Sequence, residues 1–128
     1  MLVDDDARFR AYVHVLIAKG PSIARVTEAA DGDSALLLLG ESEHQLMLID
    51  VMMPGSGGIA VTRRAHIDYP DLKVVMISMH DEARMVKAAL DAGARGYLLK
   101  DRLDRELLDA LAAVGRGEIY LSEGLVEA

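Results

Sequence analysis

At 128 residues, 52% hydrophobic and 27% charged, the chain is sized for one globular domain with its own core, which excludes general disorder. It has no cysteine, so disulfides, thiolate metal sites and cysteine nucleophiles are excluded and a reducing compartment, the cytosol, is expected. The net charge of −7 comes without a basic patch, which argues against direct nucleic-acid binding; no signal peptide and no apolar run of the ~20 residues that span a bilayer are present.

Met1-Leu2-Val3 is a short apolar start that runs into Asp4-Asp5-Asp6. Phe9, Tyr12, Val13, Leu16 and Ile17 recur at helical spacing, with Asp6 placed to cap that helix and Gly20-Pro21 to stop it. The segment Ile23 to Ala29 predicts a strand, and Asp31-Gly32-Asp33-Ser34 supplies capping side chains ahead of a helix over Ala35 to Leu39. Leu46 to Ile49 is a continuous apolar run ending on Asp50, the character of a strand buried on both faces. A helix over Ile59 to Ile67, a strand over Val74 to Ser78, a helix from about Glu82 to Leu90 and a strand over Tyr97 to Leu99 follow. A closing helix carries Leu107, Leu108, Leu111 and Val114.

Strands alternating with helices predict an α/β fold, a doubly wound (βα)5 unit whose five-stranded parallel sheet carries helices on both faces. In such open sheets ligands sit beyond the carboxyl ends of the strands. Here those ends are Asp4-Asp5-Asp6, Asp50, Ser78 and Lys100. Crowded carboxylates repel one another and call for a cation, and a hard, oxygen-rich site with few protein ligands suits Mg²⁺. With Lys100 and the Ser78 hydroxyl they form a phosphoryl cradle in which Asp50 is the natural nucleophile, and the turn Val51-Met52-Met53-Pro54-Gly55 can turn a backbone carbonyl towards the metal.

On Val3-Asp4-Asp5, Asp50-Val51-Met52-Met53-Pro54-Gly55, Ile77-Ser78 and Gly96-Tyr97-Leu98-Leu99-Lys100, the chain resembles the receiver domains of two-component response regulators. Arg95 to Asp101, Met79-His80-Asp81 and Arg116 to Ser122 resemble the NarL/FixJ-type subfamily, whose members continue into a helix-turn-helix domain. The resemblance implies a receiver domain over residues 1–118, with 119–128 starting a linker towards an output domain absent from this chain. It implies phosphorylation of Asp50 by a sensor histidine kinase, Mg²⁺ held by Asp5, Asp50 and the Met52 carbonyl, and Asp4 orienting the metal's waters. Lys100 would pair with phosphoryl oxygens. Ser78 would bond the phosphoryl group and shift inward, Tyr97 changing rotamer with it, so that homodimer or partner contacts change. Met52 and His80 would border the phosphoryl group, and Met52 with Met79 would hinder an attacking water. The protein is then a regulatory switch with self-catalysed phosphorylation rather than a conventional enzyme.

Several residues have plainer readings. Asp31-Gly32-Asp33 lacks the remaining spacing of a calcium loop and is read as a cap, Tyr97 could be a half-buried aromatic with its hydroxyl at the surface, and the methionines are packing. The chain also departs from the family pattern. Only three residues precede the acids, so in the expected flavodoxin-like order 2-1-3-4-5 an interior strand is clipped. Asp101 stands where many receivers have proline, and the chain ends too early for a DNA-binding domain, so an isolated receiver, a truncated chain or a regulator acting by protein contact is expected. Two rivals remain. An aspartate-nucleophile phosphohydrolase needs a second acid where Met52 stands, and a phosphorylation-independent dimerisation module needs no metal.

Overall fold

The computed structural model describes residues 1–21, 25–55 and 57–125. In chain order these form β1 (Leu2–Val3), α1 (Ala7–Ile17), β2 (Glu28–Ala29), α2 (Gly32–Glu41), β3 (Leu46–Asp50), α3 (Gly58–Asp68), β4 (Lys73–Ser78), α4 (Ala83–Asp91) and β5 (Gly96–Leu99). A 3₁₀ turn (Lys100–Arg102), α5 (Leu103–Gly115) and β6 (Tyr120–Leu121) complete the chain. The sheet is parallel throughout, in the order β2-β1-β3-β4-β5-β6. The doubly wound fold and the order 2-1-3-4-5 are therefore as expected, with one strand more.

Strand periodicity divides the core into two layers. Leu2, Leu48, Val75, Ile77 and Leu98 face α1 and α5, meeting Val13, Leu16, Leu107 and Val114. The alternate residues Val3, Met47, Ile49, Val74, Met76 and Tyr97 face the other way, onto Ala35, Val61, Ala65 and Val86. Because every central strand is covered on both sides, its apolar run is continuous, and each fully buried aliphatic side chain contributes about 1.5–3 kcal/mol.

The clipped first strand is embedded on both sides. Leu2 pairs with Glu28 and Leu48, Val3 with Ala29 and Ile49, and the ladder continues outward through Asp4 N–H to the Ala29 carbonyl (3.1 Å) and Leu48 N–H to the Met1 carbonyl (2.9 Å). The N-terminal ammonium donates to the Leu46 carbonyl at 2.8 Å. A two-residue partner also shortens β2. Of the strand expected over Ile23 to Ala29, Glu28–Ala29 is strand among the described residues, and Ile23 and Ala24 lie outside them. Most other elements run a residue or two beyond their expected limits, α4 is shifted by one residue to Ala83–Asp91, and α2 begins three residues earlier, at Gly32, because Asp31 Oδ1 accepts the Ser34 N–H at 2.7 Å.

The sixth strand corrects the expectation of five, and it lies where a linker was expected to start. Tyr120 N–H donates to the Arg95 carbonyl and Ser122 N–H to the Tyr97 carbonyl, both at 3.0 Å, so the segment adds to the open edge of β5. A buried carboxylate holds it there. Glu106 of α5 accepts the Ser122 hydroxyl, the Glu123 N–H (2.9 Å) and Arg102 Nε (3.2 Å), while Ser122 Oγ in turn accepts the Leu99 N–H (2.9 Å). Burial pushes the Glu106 carboxyl up, but these donors outweigh it and hold the group below the usual carboxylate range.

The start of α3 lies directly on the backbone of β3. A Cβ at Gly58 would collide with the Asp50 carbonyl oxygen and stand 2.9 Å from the Met76 methyl group. Gly58→Ala therefore forces main chain apart, and we expect a loss of about 1–3 kcal/mol in denaturant unfolding. Ser122→Ala strands the Leu99 N–H and removes a donor from Glu106, for a loss of similar size, about 1–3 kcal/mol. Since the folded-state pKa of Glu106 is depressed, its contribution is present above the unfolded value of 4.5 and is lost as pH falls below it. Glu106→Gln should flatten that acid-side decline in a denaturation series from neutral to acid pH.

Candidate functional site

The carboxyl ends of the central strands bring four charged side chains together. Asp4 and Asp5 follow β1, Asp50 ends β3, and Lys100 opens the 3₁₀ turn after β5. Adjacency of β1 and β3, with Val3 opposite Ile49, places Asp4 and Asp50 side by side. Both are buried, while Asp5 is exposed. One carboxylate oxygen from each of Asp4, Asp5 and Asp50 lies within 4.8 Å of the others.

Lys100 joins the two buried acids. Its Nζ donates to Asp4 Oδ2 at 3.1 Å and to Asp50 Oδ2 at 3.0 Å. The remaining oxygens are taken by main chain: Asp4 Oδ1 accepts the Asp6 N–H (2.8 Å) and Asp50 Oδ1 the Met52 N–H (3.0 Å). Burial pushes the Asp4 carboxyl up, with the neighbouring Asp50 charge adding to it, against the Asp6 N–H and Lys100. For Lys100 burial acts downward, but its bonds to Asp50 and Asp4 outweigh it and raise the ammonium. One ammonium against three carboxylates leaves negative charge in excess, and this all-oxygen donor set fits a small hard divalent cation such as Mg²⁺.

Ser78 ends β4 one residue beyond Ile77, which pairs with Asp50. Its buried Oγ accepts the His80 N–H at 2.9 Å. Tyr97 is fully buried rather than half-buried with its hydroxyl at the surface, and the hydroxyl donates to the His80 carbonyl at 2.8 Å. Burial raises its pKa above the ordinary phenol value. The two expected switch residues thus bond to opposite sides of one residue, His80. The His80 imidazole is partly exposed, with Nδ1 3.7 Å from Glu82 Oε2. Met52 and Met79 are strongly exposed, 59% and 74%, so packing does not account for either.

Two contributors escaped sequence reasoning, both on α1. Asp6 caps this helix as expected, Oδ1 accepting the Arg8 and Phe9 N–H groups at 2.9 and 3.4 Å. Arg10 Nη1 donates to the Asp4 carbonyl at 2.6 Å while its Nε meets Glu28 Oε1 at 2.7 Å, tying the acidic turn to β2. Phe9 presents its ring to Lys100, with Nζ 4.2 Å from the centroid. In the sequence Phe9 is one more apolar position of a helical stripe and Arg10 an ordinary surface charge. Nothing local signals a partner ninety residues away.

Comparison with known proteins agrees with this geometry. The family model for the response regulator receiver domain matches residues 1–112. The transcriptional regulatory protein DegU of Brevibacillus brevis is 34% identical over 121 residues, covering 94% of this chain and 51% of the relative. The nitrate/nitrite response regulator NarL of Escherichia coli K12 is 35% identical over 125 residues, 98% of this chain and 58% of the relative. The chain thus spans little more than half the length of these curated relatives. Among solved structures, a LuxR-family two-component response regulator from Aurantimonas sp. SI85-9A1 superposes with a TM-score of 0.91 at 33% identity, covering 96% of this chain and 88% of that one. The non-phosphorylated receiver domain of the Escherichia coli regulator RcsB shares the fold, with a TM-score of 0.87 at 22% identity over 95% of each chain. No described helix is long and apolar enough to cross a membrane. With the family model matching most of its length and these acids gathered at one end of the sheet, the chain belongs to the response regulator receiver domain family.

Proposed function

We propose that Asp50 is the phosphoacceptor of a two-component signalling switch. The observation that carries this reading is the Asp50 carboxylate, held at a strand end against Lys100 Nζ at 3.0 Å within a cluster of three acids. Asp5, Asp50 and the Met52 backbone carbonyl would hold Mg²⁺, with Asp4 orienting its waters. The metal supplies neutralisation of the transferring group's charge. An Asp50 oxygen forms the new P–O bond as the P–N bond of a sensor kinase's phosphohistidine breaks, and the imidazole ring, already protonated on its other nitrogen, leaves as neutral imidazole. Lys100 then exchanges a carboxylate partner for a phosphoryl oxygen, and Ser78 turns its hydroxyl towards the phosphoryl group.

The Ser78 hydroxyl and the Tyr97 hydroxyl both bond to His80, at 2.9 and 2.8 Å, so a shift of Ser78 is felt at Tyr97 through one residue. This supports a change at the surface of α4, β5 and α5 that alters homodimer or partner contacts. By analogy with DegU and NarL, whose names describe transcriptional and nitrate/nitrite regulation, the full-length protein would act on transcription through a helix-turn-helix domain in the cytoplasm. In that scheme residues 1–118 are the phosphoacceptor unit, β6 extends its sheet, and the chain leads out of the unit after that strand. The second acid that an aspartate-nucleophile phosphohydrolase needs is replaced by Met52.

Acetyl phosphate with Mg²⁺ should add the mass of one phosphoryl group to the wild-type chain and none to Asp50→Asn, and omission of Mg²⁺ should abolish the addition. A wild-type chain inert to both acetyl phosphate and beryllofluoride would sink the proposal. Because Met52 and Met79 stand exposed near the pocket, they should shield the phosphoryl group from water. We expect Met52→Asn and Met79→Ala to shorten its half-life severalfold in a chase experiment, and an unchanged half-life would remove that role.

A further inference from the structure

Lys100 has a third neighbour besides its two carboxylates. Its Nζ lies 4.2 Å from the centroid of the Phe9 ring, the distance at which a cation is drawn to the negative face of an aromatic quadrupole. The ring is partly buried against the core layer beneath α1. Its backbone N–H is tied into the Asp6 cap of α1, and its side chain lies 6.4 Å from the Tyr12 ring at a tilt of 49°. Lys100 is only 18% exposed, so this contact is largely shielded from water, where cation–π attraction is strongest.

We propose that Phe9 is a positioning residue for Lys100, holding the ammonium over the phosphoacceptor pocket through its ring face. The inference rests on the reading of Asp50 as the phosphoryl-accepting group. A lysine is a point charge on a flexible four-carbon stem, so holding it in place costs rotamer entropy. In this structure Asp4 and Asp50 anchor it. A divalent cation bound to those acids weakens that anchor when the ammonium has to meet an incoming phosphoryl oxygen. The attraction of a neutral ring is not cancelled by a metal on the carboxylates. Phe9 therefore keeps Lys100 in place through the step in which its charged partners change.

The test compares Phe9→Leu and Phe9→Met, which keep apolar bulk but lack the quadrupole, with Phe9→Tyr, which restores it. In the unphosphorylated protein the ε-methylene protons of Lys100 should be shifted upfield by the ring in wild type and Phe9→Tyr. They should move to ordinary values in Phe9→Leu and Phe9→Met. Phosphorylation by acetyl phosphate with Mg²⁺ should slow roughly three- to tenfold in Phe9→Leu and Phe9→Met, the range expected for one shielded cation–π contact, and recover in Phe9→Tyr. Mg²⁺ binding, followed through the Asp50 amide resonance, should be no weaker in any variant, because losing the ring removes a competitor's anchor and no ligand. Lys100 protons that do not move, a wild-type phosphorylation rate in Phe9→Leu, or Mg²⁺ binding and phosphorylation falling together would each overturn the proposal. A wild-type chain that takes no phosphoryl group defeats the phosphoacceptor reading instead, and the Lys100 resonances still decide whether the ring holds the ammonium.

Discussion

Two buried carboxylates sharing one ammonium are the constraint around which the carboxyl edge of this sheet is organised. Asp4 and Asp50 lie on neighbouring strands, and their mutual repulsion is relieved by Lys100, which arrives from β5 on the far side of β4. Removing one partner from such a buried pair typically costs ~3–5 kcal/mol, because the remaining charge is left uncompensated. An apolar triad would make a sturdier core, so the charge is better explained by use than by stability. Everything that fixes this edge serves that arrangement. The Asp6 cap turns the chain after β1, Arg10 braces the Asp4 carbonyl, and Gly58 lets α3 close onto the backbone of Asp50.

Strand β5 connects the pocket to the surface. Lys100 follows its last residue, Tyr97 lies within it beneath α4, and its outer edge carries β6. Leu99, next to Lys100, donates its N–H to Ser122 Oγ, and Ser122 is held by the buried Glu106. The acidic pocket and β6 are therefore tied to opposite ends of one short hydrogen-bonded path. Ser78 and Tyr97 form a second path through the main chain of His80. Any ligand that shifts this system must bond differently to its two arrangements, and a phosphoryl group on Asp50 would do so by drawing on Lys100 and Ser78.

Much of this was legible in the sequence for identifiable reasons. Continuous apolar runs such as Leu46 to Ile49 mark strands covered on both faces, and helical stripes such as Val13, Leu16 and Ile17 mark the helices that cover them. Strand-terminal acids are conspicuous because a charge directly after a buried run has few structural uses. The short strands were harder. Among the described residues β2 pairs over only two positions because its partner has only two to offer, and β6 forms because β5 presents an open edge that Tyr120 and Ser122 can reach. Neither depends on the local propensity of the residues concerned.

What the sequence determined by itself is therefore the alternation of strands and helices, the capping of α1 and α2 by Asp6 and Asp31, and the set of charged groups at the strand ends. These depend on periodicity and on hydrogen bonds spanning a few residues. Only the tertiary structure decided that Lys100 bridges Asp4 and Asp50, that Phe9 lies against it, that Tyr97 is wholly buried with its hydroxyl on His80, and that Glu106 and Ser122 hold a sixth strand. Each joins groups 16 to 96 residues apart along the chain, and such contacts exist only once the parallel crossovers have stacked the strands in order.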